Sequence, residues 1–74
     1  MDVSYRVDKD ILYIAVEGRI DASNAAEAEE KIFRIKIDNP GKHTVVDADK
    51  LAYISSAGLR VILRLRKEEP KLAI

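Results

Sequence analysis

The chain has no cysteine and no tryptophan, only three glycines and two prolines, and no net charge. Without cysteine there is no disulfide staple, no thiolate metal ligand and no thiol nucleophile, which fits a reducing compartment and makes the cytoplasm the default location. Gly18, Gly41 and Gly58 stand alone, so no Walker-type or dinucleotide loop is present and no cofactor is implied. Thirteen basic residues offset thirteen acidic ones, which gives no general attraction to phosphate backbones or anionic bilayers and disfavours nucleic acid as a partner. The longest uncharged run, Leu51 to Leu59, is nine residues with two serines, against the ~20 apolar residues a membrane span needs. Met1 to Arg6 carries no basic-then-apolar export signal.

What is there fits one small globular domain, residues 1–74, at 47% hydrophobic and 35% charged. A chain of this size buries only about 60% of its unfolded surface and draws ~3–5 kcal/mol from its core, so large catalytic clefts are not expected.

Val3, Tyr5 and Val7 alternate with polar residues, Asp8-Lys9-Asp10 reads as a turn, and a second run to Val16 completes a hairpin that Gly18 ends. Leu12, Ile14 and Val16 share one face of that run, and Ile11, Tyr13 and Ala15 the other, as in a strand covered on both sides. Asn24 with Glu27 three residues later has capping-box spacing and predicts a helix start. Ala25, Ala28, Ile32 and Ile35 recur at helical spacing until Asp38-Asn39-Pro40-Gly41 stops them, while the glutamates come early and the lysines late, as the helix dipole favours. Thr44-Val45-Val46 reads as a buried central strand reached by a right-handed crossover onto a parallel neighbour. Ala48 to Ile54 reads as a loop tucking Leu51 and Ile54 inward. Ser55 and Ser56 are candidate N-caps of a second helix to about Lys67, with Leu59, Ile62, Leu63 and Arg66 on one stripe and Pro70 beyond it. Lys71 to Ile74 looks like the opening of a further strand. The class is therefore α/β.

The chemistry-bearing arrangement is a strand, a loop and Ser55-Ser56-Ala57-Gly58 at a helix start. Unsatisfied amides and the dipole there favour a phosphate, and a phosphoserine would add about −1.5 to −2 charges to a surface able to meet a partner. The plainer alternative is that one serine only caps the helix. His43 with Ser55, Ser56, Asp47 and Asp49 could be set out as a nucleophile, acid and base, but a histidine beside Pro40-Gly41 and Lys42 reads as a solvated loop residue. Asp47 and Asp49 fall short of a cation site and read as a polar strand exit, so no metal ligand is assigned. Arg60 and Arg64 share a helix face that is either solvated or part of a partner surface. Glu27, Glu29 and Glu30 read as dipole complements.

Gly18-Arg19-Ile20-Asp21-Ala22-Ser23-Asn24, Val45-Val46-Asp47 and Tyr53 to Ile62 together resemble the STAS domain, shared by bacterial anti-sigma factor antagonists and the cytoplasmic tails of sulphate transporters. The resemblance runs over nearly the whole chain. It implies a mixed β-sheet of about four strands with helices largely on one face, and a non-enzymatic protein that binds an anti-sigma factor, itself a serine kinase, to control transcription. It also implies another strand and one or two helices after the position of Ile74. The chain is thus expected to be a domain shortened at its C-terminus, whether a truncated piece, a shortened homologue or one needing a second copy to cover it.

In the phosphorylated antagonists the acceptor stands immediately before the glycine in Asp-Ser-Ser/Thr-Gly. Here Ser55 stands at the aspartate, Ser56 at the first serine and Ala57 at the acceptor. Either Ser56 takes the role one residue early or partners bind without that switch, and the ~100° turn per helical residue favours the second. The expected partner surface is Asp21, Asp47, Asp49, Tyr53, Ser55, Ser56, Ala57, Gly58 and Arg60, with Ser56 or Ser55 as the modifiable residue. A structural or oligomerising scaffold within a larger signalling protein, with Ser56 only a cap, is the alternative.

Overall fold

A computed structural model describes all 74 residues, in the order β1 (Asp2–Asp8), β2 (Ile11–Ile20), α1 (Ala25–Asp38), β3 (His43–Asp47), β4 (Leu51–Ile54) and α2 (Ser56–Glu68). The hairpin forms as expected, with Asp8 opposite Ile11 and Lys9 taking a left-handed φ of 57° in the turn. β3 runs parallel to β2 along Ile11–Ala15, and β4 runs parallel to it along Gly18–Ile20. The central strand is therefore β2 and not β3, because each of the other three strands pairs with it.

Both helices lie on one face of this mixed sheet. Leu12, Ile14, Val16 and Ile20 of β2 and Val46 of β3 point to that face and pack with Ala25, Ala28 and Ile32 of α1 and with Val61 and Leu65 of α2. Burying a side chain of this kind contributes about 1.5–3 kcal/mol, so this cluster is the main source of stability. The opposite face of β2, Ile11, Tyr13, Ala15 and Glu17, is only half-buried. It is covered on one side, not two, and Arg6 lies 3.9 Å over the Tyr13 ring there in place of a second layer.

Four local expectations are corrected by the structure. β2 does not end at Gly18 but passes through it at a φ of 92°, and there the register against β4 slips by one residue. The stretch around Leu51 and Ile54 is a short parallel strand, although both side chains do turn toward the core. Asn24 precedes α1, yet its side chain makes no helix cap. On α2 the buried stripe is Gly58, Val61 and Leu65, whereas Leu59 and Leu63 are exposed. The apolar positions of this helix form two stripes, and the sequence pattern alone does not say which one meets the sheet.

The end of α2 is fastened to β3 by one carboxylate. Glu69 accepts hydrogen bonds at 2.9 Å from the backbone N–H and from the hydroxyl of buried Thr44, and Lys36 Nζ stands 3.3 Å from it. Beyond it, Leu72 is buried, and Ala73 bridges β3 by accepting from Val46 N–H at 2.8 Å and donating to Thr44 at 3.2 Å, the expected opening of a strand.

Partial burial pushes the Glu69 carboxyl up, but the two Thr44 bonds and the Lys36 ammonium outweigh it and hold it below the usual range. Its contribution is thus present above the ordinary glutamate range and lost as pH falls through the lowered folded value. Glu69→Ala strands the N–H and hydroxyl of Thr44, and urea denaturation at neutral pH should show a loss of about 1–3 kcal/mol. The difference from the parent should shrink in acid.

Candidate functional site

The C-terminal end of β2, strand β4 and the first turn of α2 converge at one end of the sheet. Ser55 N–H donates to the Ile20 carbonyl at 2.8 Å, so the residue after β4 is fixed to the end of β2. Its backbone is extended, and its Oγ accepts from Gly58 N–H at 3.3 Å as the N-cap of α2. Ser56 is the first helical residue, is exposed, and makes no side-chain hydrogen bond. The two serines thus differ, one committed to the cap and one free at a helix N-terminus.

Gly58 is buried, and its role here is close packing. A Cβ at this position would stand 2.7 Å from Ile54 Cγ1 and 2.8 Å from Ile20 Cγ2, so the first turn reaches the two strand ends only without a side chain. Ala57, half-buried, also packs on the core and carries no hydroxyl. Arg60 is exposed one turn beyond Ser56 on the same helix face.

The loop after β2 supplies the remaining side chains. Asp21 accepts from the N–H and the hydroxyl of Ser23 at 2.9 and 2.6 Å, which hold its carboxyl below the ordinary value and keep it ionised. Asn24 Oδ1 accepts from Asp21 N–H and Asn24 Nδ2 donates to the Arg19 carbonyl, both at 2.9 Å, so the expected capping residue instead closes this loop. The Arg19 guanidinium stacks 4.4 Å over the Tyr53 ring, linking β2 to β4 on the outside. Arg19 was not singled out from sequence as a site residue. The signal that finds it is its place directly opposite Tyr53 in a parallel pair, which needs the register.

Asp21, Tyr53, Ser55, Ser56 and Arg60 therefore belong to one end of the molecule. Asp47 does not join them, because it pairs beside Ala15 while Ile54 pairs beside Ile20, a five-residue offset along β2 that at about 3.3 Å per residue is roughly 15 Å. Asp47 accepts from Asp49 N–H at 3.0 Å, and the two line a shallow surface with Glu17 and Lys50. No acidic or histidine cluster suited to a metal ion forms. His43 pairs beside Ile11, nine residues of β2 from the level of Ile54, on the order of 25–30 Å away. The histidine and the serines thus assemble no nucleophile and base. Arg64 is taken up by a bidentate pair with Glu29 of α1, at 2.5 and 3.1 Å, which makes Glu29 a helix-to-helix tie.

A one-sided mixed sheet that places a serine-bearing helix N-terminus beside the loop after β2 defines a STAS architecture. The chain belongs to the STAS domain family, whose pattern matches residues 2–74. It is 34% identical over 58 residues to the putative anti-sigma factor antagonist BtrV of Bordetella bronchiseptica, a span of 78% of this chain and 49% of that protein. The fold is similar to that of the anti-sigma factor antagonist SpoIIAA in its unphosphorylated form, with a TM-score of 0.65 at 18% identity over 93% of this chain and 64% of that one. It is also similar to an uncharacterized protein of Shewanella loihica with a SpoIIAA-like fold, with a TM-score of 0.60 at 15% identity over 95% of this chain and 59% of that one. The chain thus spans about half the length of the Bordetella relative.

Two measurements check this geometry. Gly58→Ala should destabilise the chain by about 1–3 kcal/mol in thermal or urea unfolding, because branched Ile20 and Ile54 must both give way. In a carbon-detected NMR titration, Asp21 should ionise below the ordinary aspartate value of 3.8, and Ser23→Ala should move it back toward that value.

Proposed function

We propose that this chain is a non-enzymatic protein-binding regulator that acts as anti-sigma factor antagonists do, by exchanging partners on an anti-sigma factor and so controlling transcription. The partner surface is the end formed by Asp21, Arg19 with Tyr53, Ser56 and Arg60. Arginine and tyrosine are the side chains that most often anchor protein interfaces, and the stacked pair presents both in a fixed geometry. The similarity to an antagonist over 78% of the chain supports the reading.

The observation that carries it is the division of labour between the two serines. Ser55 uses its oxygen on Gly58 N–H, whereas Ser56 has a free hydroxyl at the helix start. A phosphate on Ser56 would meet the positive end of the α2 dipole and lie one turn from Arg60, so it would add charge to the partner surface without disturbing the fold. Modification then acts on binding. A scaffold reading without this switch is favoured by Ala57, which has no hydroxyl at the position where the family resemblance expects the acceptor.

The test is intact-mass analysis after incubation with ATP and an anti-sigma factor serine kinase, with fragmentation to locate the modification, alongside binding of that kinase to Ser56→Asp. The expected result is one phosphate, on Ser56, and binding by Ser56→Asp weakened about tenfold or more, about 1.4 kcal/mol, with unchanged circular dichroism. Absence of phosphate on Ser56, with Ser56→Asp binding like the parent, would establish the scaffold reading instead.

A further inference from the structure

Two arginines on the helix-free face of the sheet lie over tyrosine rings, and they differ in what surrounds them. Arg6 stands 3.9 Å over Tyr13 and shares a shallow surface pocket with Asp47. Arg19 stands 4.4 Å over Tyr53 and enters no ion pair within residues 1–74. The acids two residues before and after it are engaged elsewhere. Glu17 lies 3.5 Å from Lys50, and Asp21 accepts from the N–H and the hydroxyl of Ser23. Ser23 is the main cause of the lowered Asp21 carboxyl and Arg19 the least.

The backbone that carries Arg19 is held from several directions. Gly18 N–H donates to the Lys50 carbonyl at 3.0 Å, Asn24 Nδ2 to the Arg19 carbonyl at 2.9 Å, and Ser55 N–H to the Ile20 carbonyl at 2.8 Å. Tyr53, directly opposite in the parallel pair, then holds the side chain. Stacking occupies the flat face of a guanidinium and leaves the N–H groups of its edge available, a fork that matches the two oxygens of a carboxylate. An arginine restrained in this way loses less freedom when it binds than one on a free stem. The charge of this end agrees with such a ligand, because Arg19 and Arg60, both outside any ion pair, outnumber Asp21.

We propose that Arg19 is the specificity-determining residue of the partner surface, that it receives an aspartate or glutamate side chain of the partner in a two-pronged contact, and that Tyr53 positions it for this. The inference rests on the proposed function, since it names the chemistry by which that surface recognises its partner. It does not require Ser56 to be modified. Lysine cannot replace Arg19 in this role, because an ammonium is a point charge without the planar fork.

The experiment is titration calorimetry of the parent and its variants with an anti-sigma factor serine kinase, with thermal unfolding of each variant to establish that it folds. Arg19→Ala should weaken binding about thirtyfold or more, as loss of a central arginine anchor does. Arg19→Lys should recover little of that loss, and Tyr53→Phe, which keeps the ring, should bind about tenfold more tightly than Tyr53→Leu. The affinity of the parent should fall as salt rises, and that of Arg19→Gln should fall less steeply. Arg6→Ala removes the other stacked arginine and should bind as the parent does. Binding by Arg19→Ala or Arg19→Lys as tight as the parent's, or an equal salt dependence in Arg19→Gln, would overturn this inference and leave the proposed function standing. A parent that binds no such kinase would overturn both.

Discussion

Every strand of the sheet is hydrogen-bonded to β2, and everything else in the molecule is placed by that constraint. Along its first half β2 holds β1 on one side and β3 on the other, and along its second half it holds β4. Ten residues thus serve as the common reference for a hairpin, a parallel crossover and a short strand that delivers α2. Gly18 sits where one set of pairings gives way to the next, with a φ of 92° that other residues rarely adopt. Ile20, two residues later, is both a core side chain and, through its carbonyl, the acceptor that fixes Ser55. The site is consequently an extension of the core.

That coupling explains how so small a chain can hold a surface in a defined shape. Helix α2 is secured at both ends by interactions outside itself. At its start Gly58 lets the first turn approach Ile20 and Ile54, and at its end Glu69 gathers Thr44 and Lys36. Between them Val61 and Leu65 enter the core, and Arg64 reaches Glu29 across the helix pair. The last pair lies at the surface and adds little stability. The large energies lie in the buried stripe and the Glu69 clamp, while the exposed side chains of the first turn are left free.

The hairpin, the parallel crossover and the face of α1 could be read from sequence because each depends on local alternation or helical spacing: Leu12, Ile14 and Val16 in one case, Ala25, Ala28 and Ile32 in the other. The family resemblance supplied the strand count and the single helical layer. What could not be read depends on pairing between distant residues. Arg19 and Tyr53 are 34 positions apart, and their stacking exists only because β4 pairs with β2 in one particular register. The same holds for Glu69 and Thr44. Asp47 precedes the serines closely in sequence, yet β3 and β4 occupy different halves of β2 and the register sets Asp47 five residues of that strand from the level of Ile54. The α2 stripe was misplaced for another reason. A helix with two apolar stripes has no unique phase in sequence, and the small residue Gly58, which looks neutral in any hydrophobic pattern, decides which stripe goes inward.

Those two stripes also divide one short helix between a packed side and an unpacked one. The inward stripe begins with glycine and can approach the strands closely, so its few side chains suffice to anchor the helix. The outward stripe, with Leu59 and Leu63, takes no part in that anchoring. Ser56 is exposed at the head of the helix, where added charge bears on the surface and not on the packing beneath it. A charge added there would leave the Ser55 cap, the Gly58 contact and the Glu69 clamp holding the helix in place, which is the physical requirement for regulating a contact without unfolding the protein that makes it.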